Sequence, residues 1–294
     1  YLAKGHVYVI AKSQIVEETS RLLFTYLFLE TPLSSSLPFL VTIAYLSMSF
    51  GELMSIIYLL LLSRKRYSFT PLKNINKQNL IMKDLLNISL PLTGSRLYHC
   101  FMNFLEPILL IHVLTRLGLT QNFIQDQYAI LSGYVVSMLV TPTFFCTIIY
   151  RLYLPIATDD LYYHKSNTFL HLLYALLICF LIGLPFTLIF YFFPKQSLQI
   201  SITFQYYQQL KYMSFPFLLF YLQTPLSTIL QAKNKNKVMF IISMIECTLE
   251  IILTYTLSHY LYVNAILISL FTGLITTLTL SAIYCFKIIK DTSK

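Results

Sequence analysis

The sequence predicts an all-α polytopic membrane protein with eight transmembrane helices. Three observations carry that expectation. Hydrophobic residues make up 56% of the 294 positions and charged residues only 11%, where a soluble domain carries about 25% charged. Apolar runs long enough to cross about 30 Å of hydrocarbon recur along the whole chain. Lys and Arg are confined almost entirely to the short segments between those runs, and they alternate between rich and poor.

The runs fall at residues 11–29, 37–62, 85–114, 128–150, 168–193, 209–231, 238–258 and 262–286. The first, within SQIVEETSRLLFTYLFLE, is apolar only in its second half. Its first half places Gln14, Glu17, Glu18, Arg21 and Thr25 along one helix face. Glu17 and Arg21 are four apart and can pair. Ions facing lipid near mid-bilayer would cost roughly 2.5–3.5 kcal/mol each, so the stripe is expected to face a polar cavity. The second run carries one ion, Glu52. It leads into the basic segment SRKRYSFTPLKNINKQNLIMKD, residues 63–84.

The third run, LPLTGSRLYHCFMNFLEPILL, carries Arg96, His99, Asn103 and Glu106 at spacings of three, four and three. That is one continuous polar stripe. The fourth, fifth and sixth runs carry Pro142, Pro185, Pro216 and Pro225, and the third carries Pro91 and Pro107. Each proline removes an intrahelical hydrogen bond and permits a bend. The seventh run holds Ser243, Glu246, Glu250 and Thr254. The alternative for each ionisable stripe is a structural ion pair between helices.

Alternation of sides fixes orientation. One side holds sixteen of the 21 cations, and the other holds three, Arg116, Lys195 and Lys211; Arg21 and Arg96 lie inside runs. By the positive-inside rule the rich side is cytoplasmic, with both ends of this chain on it. The same arrangement argues against nucleic acid as the reason for the net charge of +9.

An internal repeat organises the runs. Leu2 to Tyr26 aligns without gaps on Gln231 to Tyr255, with Lys4/Lys233, Glu17/Glu246, Thr19/Thr248, Thr25/Thr254 and Tyr26/Tyr255 identical. The first and second runs then correspond to the seventh and eighth. The chain is therefore expected to hold the last two helices of one six-helix lobe and a complete second lobe, with four further spans ahead of Tyr1. The divisions are 1–62 (end of the N-terminal lobe), 63–84 (cytoplasmic basic inter-lobe loop), 85–287 (C-terminal lobe) and 288–294 (cytoplasmic tail). Two lobes related in this way are the plan of a transporter whose site lies between its repeats.

Other chemistry finds little support. There is no GxGxxG or GxxxxGK[ST], and the five cysteines lie inside apolar runs without CxxC spacing. TDDLYYHK, Thr158 to Lys165, offers Asp159, Asp160 and His164 for a divalent metal, as in a transferase acting on an isoprenoid-linked sugar. It reads as a short cytoplasmic loop without a second acidic motif. His6, His112, His171 and His259 stand alone.

Several stretches resemble the stage V sporulation protein B family of polysaccharide exporters. These belong to the superfamily of multidrug, oligosaccharidyl-lipid and polysaccharide flippases, which includes lipid II flippases. SQIVEETSRL is similar to that family's fifth span and ISLPLTGSRL to the start of its seventh. YAILSGYVVSMLVTPTFFCTIIYRLYLPIA is similar to its eighth, and FPFLLFYLQTPLSTILQAKNK to its tenth. The resemblance implies a non-enzymatic flippase of the bacterial cytoplasmic membrane. It would move undecaprenyl-linked saccharide for peptidoglycan or polysaccharide, in sporulation or other cell-wall synthesis. Its partners would be lipid-linked saccharide, membrane lipids and cell-wall synthesis enzymes. On that reading Arg96, His99, Asn103 and Arg21 would bind substrate. Glu17, Glu246, Glu250 and Glu106 would bind a coupling ion, H⁺ or Na⁺, with no other cofactor. The alternative within transport is a drug or organic-cation antiporter of the same superfamily. Lipid II flippases carry a further cation near the position that reads Leu131-Ser132-Gly133 here.

Overall fold

A computed structural model of the chain describes residues 7–29, 37–66, 75–163, 167–198 and 204–292, and every regular element among them is helical. In order these are α1 (Val7–Leu29), α2 (Leu37–Arg66), α3 (Ile75–Arg116), α4 (Gln121–Ile130), a π-helical turn (Leu131–Val136), α5 (Ser137–Val140), α6 (Thr143–Tyr162), α7 (Thr168–Phe192), α8 (Pro194–Leu198), α9 (Phe204–Ala232), α10 (Asn236–Leu261), a 3₁₀ turn (Tyr262–Asn264) and α11 (Ala265–Thr292). They form two compact units, Tyr1–Gln78 and Asn79–Lys294.

In the first unit α1 packs on α2 through Gly51. A Cβ at that position would lie 3.0 Å from the Glu17 carbonyl oxygen and 3.4 Å from Arg21 Cβ. Phe24 and Phe50 stack beside it with centroids 4.8 Å apart.

In the second unit the contacts alternate in direction. Asp160 meets His171 and Phe145 meets Phe186, so α6 and α7 are antiparallel. Gly183 meets Tyr221 and Tyr191 meets Phe215, so α7 and α9 are antiparallel. Gln127, Leu139 and Tyr150 meet Tyr206, Tyr221 and Gln231 in that order, which makes α4, α5 and α6 parallel to α9. Gly273 meets Glu250 and Ser269 meets Thr254, so α11 returns along α10. Gly94 meets Phe240 and Tyr98 meets Thr248, so α3 runs with α10. Six alternating runs result, α3, α4 to α6, α7, α9, α10 and α11. Tyr221 binds them at the centre: it is fully buried, its ring covers Gly183 and its hydroxyl donates to the Leu139 carbonyl at 2.7 Å.

The perimeter is apolar and uncovered. Leu90, Leu97, Phe104, Leu181 and Phe192 are all more than half exposed. In water such a surface would aggregate; in hydrocarbon it is the solvated face. Among the described residues five helical stretches are long and apolar enough to cross a membrane, or six with the pair Gln121–Val140 and Thr143–Tyr162, bent by 43°. The expected count of eight is thus not reproduced by length and composition. The α1 helix is not among them, for it carries Lys12, Glu17, Glu18 and Arg21. Residues 236–291 pass as one stretch, although the chain reverses at Tyr262, whose φ of 52° breaks the helix between α10 and α11.

Two further boundaries differ from the sequence expectation. The basic segment 63–84 is helical from Ile75 onward, because INKQNLIMKD consists largely of good helix formers. The fourth run does not end at residue 150 but continues through Tyr162. Thr158 to Tyr162 are therefore helix rather than loop. His164 lies outside the described residues. Four cysteines are buried and free, and Cys100 is exposed and free.

The repeat has a structural counterpart. Arg21 aligns with Glu250, and each lies against a glycine of the following helix, Gly51 and Gly273 respectively.

Candidate functional site

The stripe on α3 and the stripe on α10 meet around one cavity of about 530 Å³ in the second unit. His99, Asn103 and Glu106 line it from α3, Tyr128, Ser132 and Val136 from the α4 run, Glu246 and Glu250 from α10, and Ser269 from α11. Phe217 and Phe220 supply an aromatic wall from α9. On α3, Asn103 Nδ2 lies 3.0 Å from His99 Nδ1, one turn away. The Tyr128 hydroxyl donates to Glu106 Oε2 at 3.4 Å. Behind Glu106, Thr254 and Ser269 share a buried hydroxyl contact of 2.7 Å. The three carboxylates thus belong to one polar space, and Glu250 is accommodated only because residue 273 lacks a side chain.

The π turn contributes directly. It widens the α4 run at Ser132, and Ser137 Oγ donates to the Ser132 carbonyl at 3.3 Å, five residues back. Single π turns inside α-helices cluster at functional sites. Here the π turn carries two lining residues of the cavity, Ser132 and Val136.

A second cavity of about 380 Å³ shares Glu246 and Phe220 with the first. Its lining is rich in hydroxyls and amides: Thr143 and Thr147 from α6, Gln223, Thr224 and Ser227 from α9, Ser243 from α10, Thr277 and Ser281 from α11. The second space extends from Glu246 to Leu230, near the C-terminal end of α9.

Of the residues expected to act, His99, Asn103, Glu106, Glu246 and Glu250 are brought together. Arg96 is absent from the cavity lining. Glu17 and Arg21 belong to the first unit, where Arg21 is held by two carboxylates, Glu17 Oε1 and Glu18 Oε2, each at 3.3 Å. His171 is not solitary: its Nδ1 lies 2.5 Å from Oδ2 of the buried Asp160. Among the described residues no group of three or more His, Cys, Asp or Glu is assembled to hold a metal. Tyr128, Ser132, Ser269 and Thr277 were not anticipated. Ser269, Gly273, Thr277 and Ser281 recur at spacings of four on α11, a stripe of small residues that the sequence does contain.

A family described as "Polysaccharide biosynthesis protein" matches residues 7–149. The chain is 25% identical over 245 residues to Stage V sporulation protein B of Bacillus subtilis (strain 168), covering 80% of this chain and 46% of that protein. It is 29% identical over 154 residues to Sporulation protein YkvU of the same organism, covering 48% and 32%. The chain thus spans half or less of the length of these curated relatives. The fold is shared with an outward-facing multidrug resistance MATE family transporter of the MOP superfamily, with a TM-score of 0.68 and 16% identity, over 95% of this chain and 62% of that one.

The fold is that of an all-helical, multi-pass membrane protein. The chain is similar to polysaccharide biosynthesis proteins over residues 7–149 and to Stage V sporulation protein B over most of its length.

Proposed function

We propose that the chain is part of a flippase that carries an undecaprenyl-linked saccharide across the bacterial cytoplasmic membrane by alternating access between two lobes. The saccharide is a peptidoglycan precursor or a polysaccharide unit, and the sporulation names of the relatives favour spore cell-wall synthesis. The observation that carries the reading is a pair of neighbouring cavities in the second unit, which share Glu246 and Phe220. A hydroxyl- and amide-lined space suits a sugar head group, and it shares Glu246 with a space lined by three carboxylates. The uncovered apolar perimeter suits a lipid tail that stays in hydrocarbon.

In this proposal Arg96 meets the anionic head, and His99 and Asn103 contact its polar groups. Arg21 takes part only by exchanging one of its carboxylates for substrate, because Glu17 and Glu18 already hold it. Glu106, Glu246 and Glu250 bind the coupling ion, H⁺ or Na⁺, and Glu17 does so in the first unit. Carboxylates in a space without a paired cation need a proton or metal ion to offset their mutual repulsion.

The alternative, an antiporter of organic cations, draws on the same carboxylates and on Phe217, Phe220 and Tyr128 beside them. The test uses the full-length gene product that contains this chain, reconstituted in liposomes. Lipid-linked saccharide transport driven by a Na⁺ or H⁺ gradient is expected, with Arg96→Ala lowering it at least tenfold. Glu106→Gln, Glu246→Gln and Glu250→Gln together are expected to abolish the ion dependence. Transport of ethidium with no movement of lipid-linked saccharide overturns the proposal in favour of the antiporter.

A further inference from the structure

The smaller cavity, of about 380 Å³, gathers polar side chains that lack partners. Thr277 of α11 is 6% exposed, and its hydroxyl is buried without a hydrogen-bond partner. Glu246 of α10 lines the same space and is near enough to act on that hydroxyl, but no bond of ordinary length joins them. Ser281, one turn further along α11, is 3% exposed and also lines the space. Among the described residues its hydroxyl, the Ser243 hydroxyl and the Gln223 amide make no hydrogen bond. Thr143, Thr147 and Ser227 differ: each donates to a carbonyl of the preceding turn, at 2.7, 2.7 and 2.8 Å, which leaves their oxygens as acceptors. A buried hydroxyl without a partner is costly. Three helices that turn such groups onto one space point to a ligand that supplies the partners.

The lining also says which chemistry fits. Hydroxyls and an amide both donate and accept, which matches a ring whose substituents are hydroxyl and acetamido groups. Phe220 adds an apolar wall for the C–H face of such a ring. Glu246 is the only ionisable residue of the lining, and no Lys, Arg or His joins it. A ring bearing a carboxylate would be withdrawn from water with no cation to pair with, beside a carboxylate of the protein. Ligand pockets span about 300–1,000 Å³. This one is at the small end, which suits a short sugar unit rather than a long chain.

We propose that this cavity binds an uncharged sugar unit bearing hydroxyl or acetamido groups, that Gln223, Thr277 and Ser281 hydrogen-bond it, and that Glu246 excludes sugars carrying a carboxylate. The proposal deepens the flippase reading and rests on it for the source of the sugar, the head of a lipid-linked saccharide. It adds a choice which that reading leaves open, neutral against acidic saccharide. The charged part of the carrier stays outside this space, since nothing on the lining offers it a cation.

The test measures binding to the full-length gene product that contains this chain, in nanodiscs of neutral lipid. The probes are undecaprenyl pyrophosphate carrying N-acetylglucosamine, carrying glucuronic acid, and carrying no sugar. The wild type is expected to bind the N-acetylglucosamine lipid about tenfold or more tightly than the glucuronic acid lipid. Thr277→Val and Ser281→Ala should each weaken the N-acetylglucosamine lipid about three- to tenfold, the worth of one neutral hydrogen bond, and leave the bare carrier unaffected. Because the Thr277 hydroxyl has no partner in the protein, Thr277→Val should hold or raise the melting temperature, where a purely structural role would lower it. Glu246→Gln should narrow the gap between the neutral and acidic lipids. Displacement of the N-acetylglucosamine lipid by free N-acetylglucosamine assigns the cavity to the ring alone. Failure of the free sugar, with Thr277→Val still weakening the lipid, assigns it to a ring delivered by the carrier. Either result supports the site. Unchanged affinity in both Thr277→Val and Ser281→Ala overturns it, as does equal binding of the neutral and acidic lipids. If the binding pattern holds but the protein moves no saccharide in liposomes, the site stands and the flippase reading falls. Saccharide transport indifferent to all three variants keeps the flippase reading and removes the site.

Discussion

Gly273 of α11 and Glu250 of α10 occupy the same space: a Cβ at 273 would stand 2.7 Å from Glu250 Cγ and 2.8 Å from its Cδ. The obstructing atoms are part of a flexible side chain, so Gly273→Ala is expected to displace the carboxylate rather than part the helices. The stability cost should be that of mild overpacking, about 1–3 kcal/mol. Thermal melting in detergent, with and without Na⁺ and across pH, checks this. A small fall in melting temperature is expected, together with loss of the ion response that the proposed coupling site predicts. An unchanged ion response would show that Glu250 does not need its present position.

The contact between Gly183 and Tyr221 is different in kind, because the obstructing atoms belong to a rigid ring. A Cβ at 183 would lie 2.9 Å from Tyr221 Cε2 and 3.1 Å from its Cγ. Moving the ring also breaks the hydroxyl bond to the Leu139 carbonyl, at the point where the α5–α6 bend leaves backbone groups in need of partners. Gly183→Ala should therefore cost more than Tyr221→Phe, which loses only that hydrogen bond, about 1–3 kcal/mol if the carbonyl is left unsatisfied. Unfolding curves of the two variants decide the order. A Gly183→Ala protein as stable as wild type would contradict the packing described.

How much of this was legible in the sequence depends on what each residue type can signal. Charges inside apolar runs are expensive, so His99, Asn103, Glu106, Glu246 and Glu250 stood out, and they do line one cavity. Arg96 has the same spacing as its neighbours, yet it is not among the residues that line the cavity. Helical periodicity names a face, not the helix opposite it. Hydroxyls signal weakly, because a Ser or Thr on any membrane helix can satisfy itself on the preceding turn, as Ser269 does on the Ile266 carbonyl. The cavity wall of α11 was hidden for that reason. The π turn was illegible, since LSGYVV obeys no rule that separates it from an α-helix. The pairing of Asp160 with His171 needs the length of α6, which the apolar pattern ended a dozen residues too early.

That pair gives a third prediction. Asp160 is buried on the last turn of α6, and His171 of the first turn of α7 reaches it across the connection. Removing one partner of a buried hydrogen-bonded carboxylate costs about 1–3 kcal/mol. His171→Ala and Asp160→Asn should each lower stability, and the double variant should lower it by less than their sum. A double-mutant cycle on melting or denaturant curves measures the coupling. Strict additivity would mean that the contact contributes nothing.

The π turn permits a sharper experiment. A Cβ at Gly133 would meet nothing within 4 Å, so Gly133→Ala adds no clash. It should stabilise the segment by up to about 1 kcal/mol through helix propensity alone. Deleting Gly133 is a different change. It would return the segment to an α-helical count and rotate the N-terminal part of the run by about 100° relative to the C-terminal part. Leu131, Val135 and Leu139 are all fully buried, and Tyr128 reaches Glu106 from the preceding turn. The rotation would take one side of that set out of register with the other. The deletion should therefore lower the melting temperature clearly, while the alanine variant holds or raises it. It should also alter the ion response proposed for the carboxylates, because Tyr128 leaves Glu106. A deletion variant with wild-type stability and wild-type ion response would mean that the π turn neither packs the lobe nor shapes its cavity.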